Sequence, residues 1–103
     1  MIADMSKKED WDQIFDKTIE AYGTVDVLFN NAGQLSLTPF QDLSTEEWTS
    51  VMNVNVNAAM YLAQKCAPIM KAKGKGVIIN IGSVAGCAAK YGPLAYTTSK
   101  HAM

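Results

Sequence analysis

The sequence of 103 residues has no arginine and a single histidine, and its nine lysines are offset by ten acidic residues for a net charge of −1. Without a basic excess it does not read as a dedicated nucleic-acid binder. Its two cysteines, Cys66 and Cys87, stand apart with no C-x-x-C, so neither a zinc site nor a disulfide framework is expected. No apolar run reaches the roughly 18 residues of a membrane span, which gives no reason to expect a membrane partner. No basic segment leads into an apolar one at the N-terminus, so a reducing, cytoplasmic setting is the default expectation. Repeats, low-complexity stretches and Pro/Ser-rich linkers are also missing. What is present is ordinary: 49% apolar and 18% charged residues, a composition that excludes a disordered tail or a collagen-like rod and suits one domain.

Periodicity supplies the elements. Ser6-Lys7-Lys8-Glu9 has the form of a capping box, and Trp11, Ile14, Phe15, Ile19 and Tyr22 follow at helical spacing until Gly23. Val25 to Phe29 is a short apolar run, and such a run suits a strand buried on both faces of a parallel sheet. A loop over residues 34–43 contains Pro39. Ser44-Thr45-Glu46-Glu47 then forms a second capping box, opening a helix that runs to about Lys73. Within it, Asn53, Asn55 and Asn57 mark a weak point, because their side chains compete for backbone hydrogen bonds. Pro68 should kink the last turns. Gly74 and Gly76 end the helix, and Val77 to Ile81 reads as a second buried strand. A loop from Gly82 to about Gly92 leads to Pro93 and a final helix. Strands alternating with crossover helices predict an α/β fold with a parallel sheet. Ligands of such sheets bind beyond the C-terminal strand ends, here Asn30 to Gly33 and Gly82-Ser83.

Tyr96 and Lys100 stand at i and i+4 of the last helix, on one face. A free phenol near pKa 10 is a poor acid-base group at neutral pH, and a neighbouring ammonium favours its phenolate. Alone the pair is weak, since Y-x-x-x-K arises by chance in about one such chain in three. Ser83, at a strand end thirteen residues earlier, could hydrogen-bond a substrate oxygen as charge builds there, or simply satisfy its own turn. Asn55 could face solvent or bend its helix. His101 reads as a surface residue, Cys66 as packing and Cys87 as loop filling.

Taken together, Asn30-Asn31-Ala32-Gly33, Asn55, Ser83, Tyr96 and Lys100 resemble, in identity, order and spacing, the short-chain dehydrogenase/reductase family. The resemblance covers essentially the whole chain. It implies a partial Rossmann-type, doubly wound parallel sheet in which Val25 to Gly33 looks like the fourth strand and its turn, and Val77 to Ile81 the fifth. By the same resemblance Tyr96 would be the acid-base, Lys100 would lower the Tyr96 pKa and bind the nicotinamide ribose, and Ser83 would orient the substrate oxygen. Asn55 would hold a water in a proton relay from Lys100. Asn30, Ala32 and Gly33 would line the cofactor ribose, Asn31 would brace the sheet, and Asp4 would lie near the adenine ring. The cofactor would be NAD or NADP, and the substrate a small carbonyl or secondary alcohol.

The resemblance begins at the tail of the family's third strand and ends three residues after Lys100. Residues 1–103 are therefore expected to be part of a dinucleotide-binding and catalytic domain, without the glycine-rich cofactor half and the substrate region. In the complete protein a homo-oligomer is expected through the helix over 45–73 and the helix from 94. The alternative is a truncated, catalytically incompetent chain acting at most through association with full-length relatives.

Overall fold

In the computed structural model, residues 1–88 and 93–103 are described, so the end of the loop expected to reach Gly92 lies outside the described residues. Among the described residues four helices and two strands follow in order: α1 (Lys8–Tyr22), β1 (Val27–Asn30), α2 (Thr45–Met52), α3 (Ala58–Lys73), β2 (Val77–Asn80) and α4 (Leu94–Ala102). A π turn over Asn53–Asn57 joins α2 to α3, and 3-10 turns stand at Phe40–Asp42 and Val84–Gly86. The strands pair in parallel, from Val27 opposite Val77 to Asn30 opposite Asn80. Parallel neighbours need a long crossover, which α2, the π turn and α3 provide. The expected α/β class with a parallel sheet is the one observed.

Local chemistry explains most boundaries. Ser44 caps α2, its hydroxyl accepting the Glu47 amide at 3.1 Å. The reciprocal half of that box is absent, because the Glu47 carboxylate instead accepts the hydroxyls of Ser36 (2.8 Å) and Thr38 (2.7 Å). Those bonds tie the loop after β1 to the start of α2. At α1 the expected capping box does not form. Lys7 is the cap residue, with no side-chain cap bond. The Ser6 hydroxyl donates to Asp4 (2.7 Å), and the Asp4 amide donates to Asp10 (2.6 Å). An Asx turn at Asp4 has taken the serine that the helix would have used. Gly23 and Gly74 end α1 and α3 in the left-handed region, at φ 70° and 71°. α3 continues through Pro68 to Lys73, whose ammonium bonds Asp26 and Thr24 just before β1.

Between α1 and α3 lies the core of Trp11, Ala58 and Leu62, flanked by Met5, Phe15, Leu28 and Tyr61. The Trp11 indole N–H donates to Met5 O at 2.9 Å, so the buried ring leaves no donor unpaired. The expectation that both strands are buried on two faces is corrected here. β1 alternates exposed and half-buried residues, β2 is exposed throughout, and Val27 and Phe29 each keep 55% of their surface. A two-stranded sheet packed by helices on one side leaves its other face and outer edges to solvent.

The run of three asparagines is where the long helix changes pitch. Ala58 N–H reaches back five residues to Asn53 O, not four. The asparagine side chains take separate partners: Asn53 donates to Ser6 O (3.2 Å), Asn57 to Asn53 Oδ1 (2.9 Å), and Asn55 turns inward. The wider π turn swings Asn55 to the buried side, where it is 2% exposed.

Candidate active site

Three segments meet at the C-terminal end of the sheet: the turn after β1, the 3-10 turn after β2, and α4. Ser83 opens the 3-10 turn by accepting the Ala85 amide at 3.2 Å. Its hydroxyl also accepts the Tyr96 phenol O–H at 3.4 Å. The hydroxyl thus satisfies its own turn and also meets Tyr96, and the Ser83 hydrogen is left to donate elsewhere. One turn further along α4, the Lys100 ammonium lies 5.8 Å from the Tyr96 ring centroid and donates to Ile81 O at 3.2 Å. Lys100 is 8% exposed, and two of its three hydrogens have no partner among the described residues. A cation under such cover with spare donors has room to bond a further acceptor.

Gly33 closes the arrangement. A Cβ placed on it would lie 3.9 Å from both Lys100 Nζ and Asn55 Oδ1, so the strip Ala32-Gly33 runs directly past the lysine. A cavity of about 20 Å³ lies beneath, lined by Asn30, Ala32, Asn55, Ile81 and Lys100 among others. Its size is that of a single water, and the lining offers polar partners. A larger open groove of about 500 Å³ lies between Met1, Ala3 and the Ile14–Tyr22 side of α1.

Asn55 does not face solvent. Its two amide hydrogens go to Gln34 O (3.0 Å) and Ser99 Oγ (2.9 Å), while its Oδ1 accepts the Gln34 amide at 2.7 Å. Asn30 donates to Asn80 Oδ1 at 2.8 Å, bridging the strand ends, and Asn31, Ala32 and Gly33 are exposed. Asp4 stands one residue before the cavity-lining Met5 and turns its carboxylate to its own turn. The Ser6 amide and hydroxyl, with the Lys7 charge, hold that carboxyl below the usual range. His101 is exposed, its Nδ1 at 2.9 Å from Thr97 O. Cys66 is buried, which pushes its thiol pKa up, and Cys87 is exposed.

The structure therefore brings Tyr96, Ser83 and Lys100 together, with Asn55, Asn30 and Gly33 around the lysine, while Asp4 is engaged at its own turn. Sequence reasoning missed Gln34, Ser99 and Gly86. Ser99 carried a faint signal, a small hydroxyl three residues after Tyr96 and next to Lys100. Gln34 carried none, since it acts mainly through its backbone. Gly86 emerges only from packing: a Cβ there would lie 2.5 Å from Lys100 O.

Among the described residues no cluster of three His, Cys, Asp or Glu could hold a metal, and no helix is long and apolar enough to cross a membrane. A crystal structure of a short-chain dehydrogenase from Streptomyces avermitilis matches with a TM-score of 0.90 at 29% identity, covering 99% of this chain and 38% of that one. A metagenomic short-chain oxidoreductase in complex with NADP matches at 0.86 and 34% identity, covering 99% and 46%. In sequence, the 3beta-hydroxysteroid dehydrogenase 2 of Eggerthella lenta is 35% identical in an alignment that covers 97% of this chain and 39% of that protein. The chain thus spans about two fifths of the length of relatives it matches. A family model described as short chain dehydrogenase matches all of residues 1–103, and the chain belongs to that oxidoreductase family.

Proposed function

We propose that this chain carries the acid-base centre of an NAD(P)-dependent oxidoreductase that interconverts a carbonyl and a secondary alcohol. The observation that supports this most strongly is the Tyr96 phenol 3.4 Å from Ser83 Oγ with the Lys100 ammonium on the same face of α4. In reduction Tyr96 gives its proton to the carbonyl oxygen, and in oxidation it removes the alcohol proton. Ser83 already accepts two hydrogen bonds, so its own O–H is available to the substrate oxygen and steadies the charge that builds there.

The residues fit a nicotinamide cofactor. Among the described residues Lys100 has two spare N–H donors beside the Ala32-Gly33 strip, where the missing side chain leaves room for a sugar. Asn30, Ala32, Gly33, Tyr96 and Lys100 would hold the ribose, with Asp4 toward the base. Once bound, the nicotinamide gives or receives the hydride at the substrate carbon, and the protein supplies orientation and proton handling. The water-sized cavity between Lys100 and Asn55 supports a route for the proton that replaces the one lost by Tyr96. Asn55 has no free amide hydrogen. Such a water is therefore better served by backbone carbonyls, one of which a π turn leaves without its usual amide.

Residues 1–103 act in this reading as part of a cytoplasmic dinucleotide-binding and catalytic domain. Self-association runs through the 45–73 helical segment and α4, which present Met60 and Leu94 to solvent. The test uses the full open reading frame that contains these residues, following nicotinamide absorbance with a panel of ketones and secondary alcohols. Tyr96→Phe keeps the ring and removes the proton, and turnover should fall by at least the roughly 10²–10⁴-fold typical of a lost acid-base group. Unchanged activity would refute the assignment.

A further inference from the structure

Ser99 has no solvent exposure, and neither the acid-base pair nor the substrate contact uses it. Its hydroxyl donates to Tyr96 O at 2.7 Å and accepts Asn55 Nδ2 at 2.9 Å. Asn55 in turn clasps the Gln34 backbone at both its amide and its carbonyl. The four bonds form one chain from the backbone after β1, through the π turn, to the backbone of Tyr96. Every amide hydrogen of Asn55 is spent in it.

We infer that Ser99 is a positioning residue that locks the backbone of Tyr96 to Asn55 and, through it, to the cofactor-side strip ending at Gln34. The inference rests on the oxidoreductase reading, and it adds a residue that touches neither substrate nor cofactor. Two features give it its force. The position needs one group that both donates and accepts in a space closed to water, which a hydroxyl does and a methyl cannot. Removing it strands an Asn55 N–H with no solvent to take it up, so the amide must turn to find another partner. Turning releases Gln34, and with it the neighbouring Gly33, from its place beside Lys100, where even an added Cβ would stand 3.9 Å from Nζ. The damage would therefore pass from the rear of α4 to the face where Tyr96, Lys100 and the cofactor meet.

A double-mutant cycle in the full open reading frame tests this, with kcat, cofactor KM and melting temperature measured for each protein. Ser99→Ala and Asn55→Ala should each lower kcat about 10-fold or more, as a displacement near 1 Å at a reacting group can. The pair together should be no worse than the poorer single variant by more than about 2-fold, because both break the same chain. Ser99→Thr keeps the hydroxyl and should recover most of the lost kcat. Should Ser99→Ala fail to fold, Ser99→Cys, with a similar shape and a far weaker hydrogen bond, takes its place in the cycle. A lower melting temperature with wild-type kcat would overturn the inference, and so would losses that multiply in the double variant. Tyr96→Phe in the same assay keeps the two ideas apart, since its loss of turnover does not depend on Ser99 acting through Asn55.

Discussion

Gly86 offers the sharpest test of how the site is assembled. It sits at the end of the 3-10 turn that begins after Ser83, with its amide donating to Ser83 O at 2.9 Å. A Cβ at this position would lie 2.5 Å from Lys100 O and 3.1 Å from Lys100 C. Ordinary contact begins at 3.4 Å, so Gly86→Ala must push the turn and α4 apart by about 0.9 Å. Both partners are main chain, so no flexible side chain can absorb the clash. Overpacking of this kind costs about 1–3 kcal/mol of stability. The functional loss should be greater, because the same movement acts on the 3.4 Å contact of Tyr96 with Ser83 and the 3.2 Å bond of Lys100 to Ile81 O. A shift near 1 Å in a reacting geometry lowers turnover on the order of 10²-fold. Melting and steady-state turnover of Gly86→Ala in the full open reading frame measure both effects. Gly82→Ala is the internal control for stability, since a Cβ there meets nothing within 4 Å among the described residues. Wild-type melting and turnover in Gly86→Ala would show that the turn and α4 do not pack as described.

Further expectations concern stability. Trp11→Ala removes the largest buried ring between α1 and α3 and should cost about 3–5 kcal/mol, read from denaturant unfolding; a loss below 1 kcal/mol would mean the core lies elsewhere. The pH dependence has a defined sign on each side. The Tyr61 hydroxyl, with the Lys65 charge, holds Asp12 below its ordinary value of 3.8; the Ser6 bonds do so for Asp4, and the Lys73 ammonium for Asp26. Each carboxylate stabilises the fold above its unfolded pKa, and that contribution is lost as pH falls through the lowered folded value. Bonding to Asp12 raises Tyr61 above 10.0 and Lys65 above 10.5, so their contributions hold below those values and vanish as pH climbs past the raised ones. Melting temperature should therefore plateau between about pH 4 and pH 10. Asp12→Asn should weaken both limbs, and an unaltered profile would argue against the α1–α3 link.

How much of this was legible beforehand varied with the range of the interaction. The i,i+4 placement of Tyr96 and Lys100, the Ser44 cap and the glycine stops at Gly23 and Gly74 depend on residues within one turn, and all of them held. The Asn-rich weak point was also visible, because three side chains able to bond the backbone are a local property. That it becomes a π turn was not, since Asn55 is drawn inward by Gln34, 21 residues away, and by Ser99, 44 residues away. Even a strong local pattern failed where a rival lay close by: Ser6 has the form of a cap, but Asp4 claims its hydroxyl.

By itself, the sequence determined the α/β class, the parallel pairing implied by alternating elements and the set of residues by which the family is recognised. Periodicity, caps and motif order are short-range facts, and they survive in any chain that folds this way. Only the tertiary structure decided that Asn55 is a clasp, that Gly86 must stay bare against Lys100 and that the strands are exposed rather than buried on both faces. Those outcomes depend on which distant backbones come within a few ångströms of each other. That is a matter of packing across the whole fold, which no local pattern encodes.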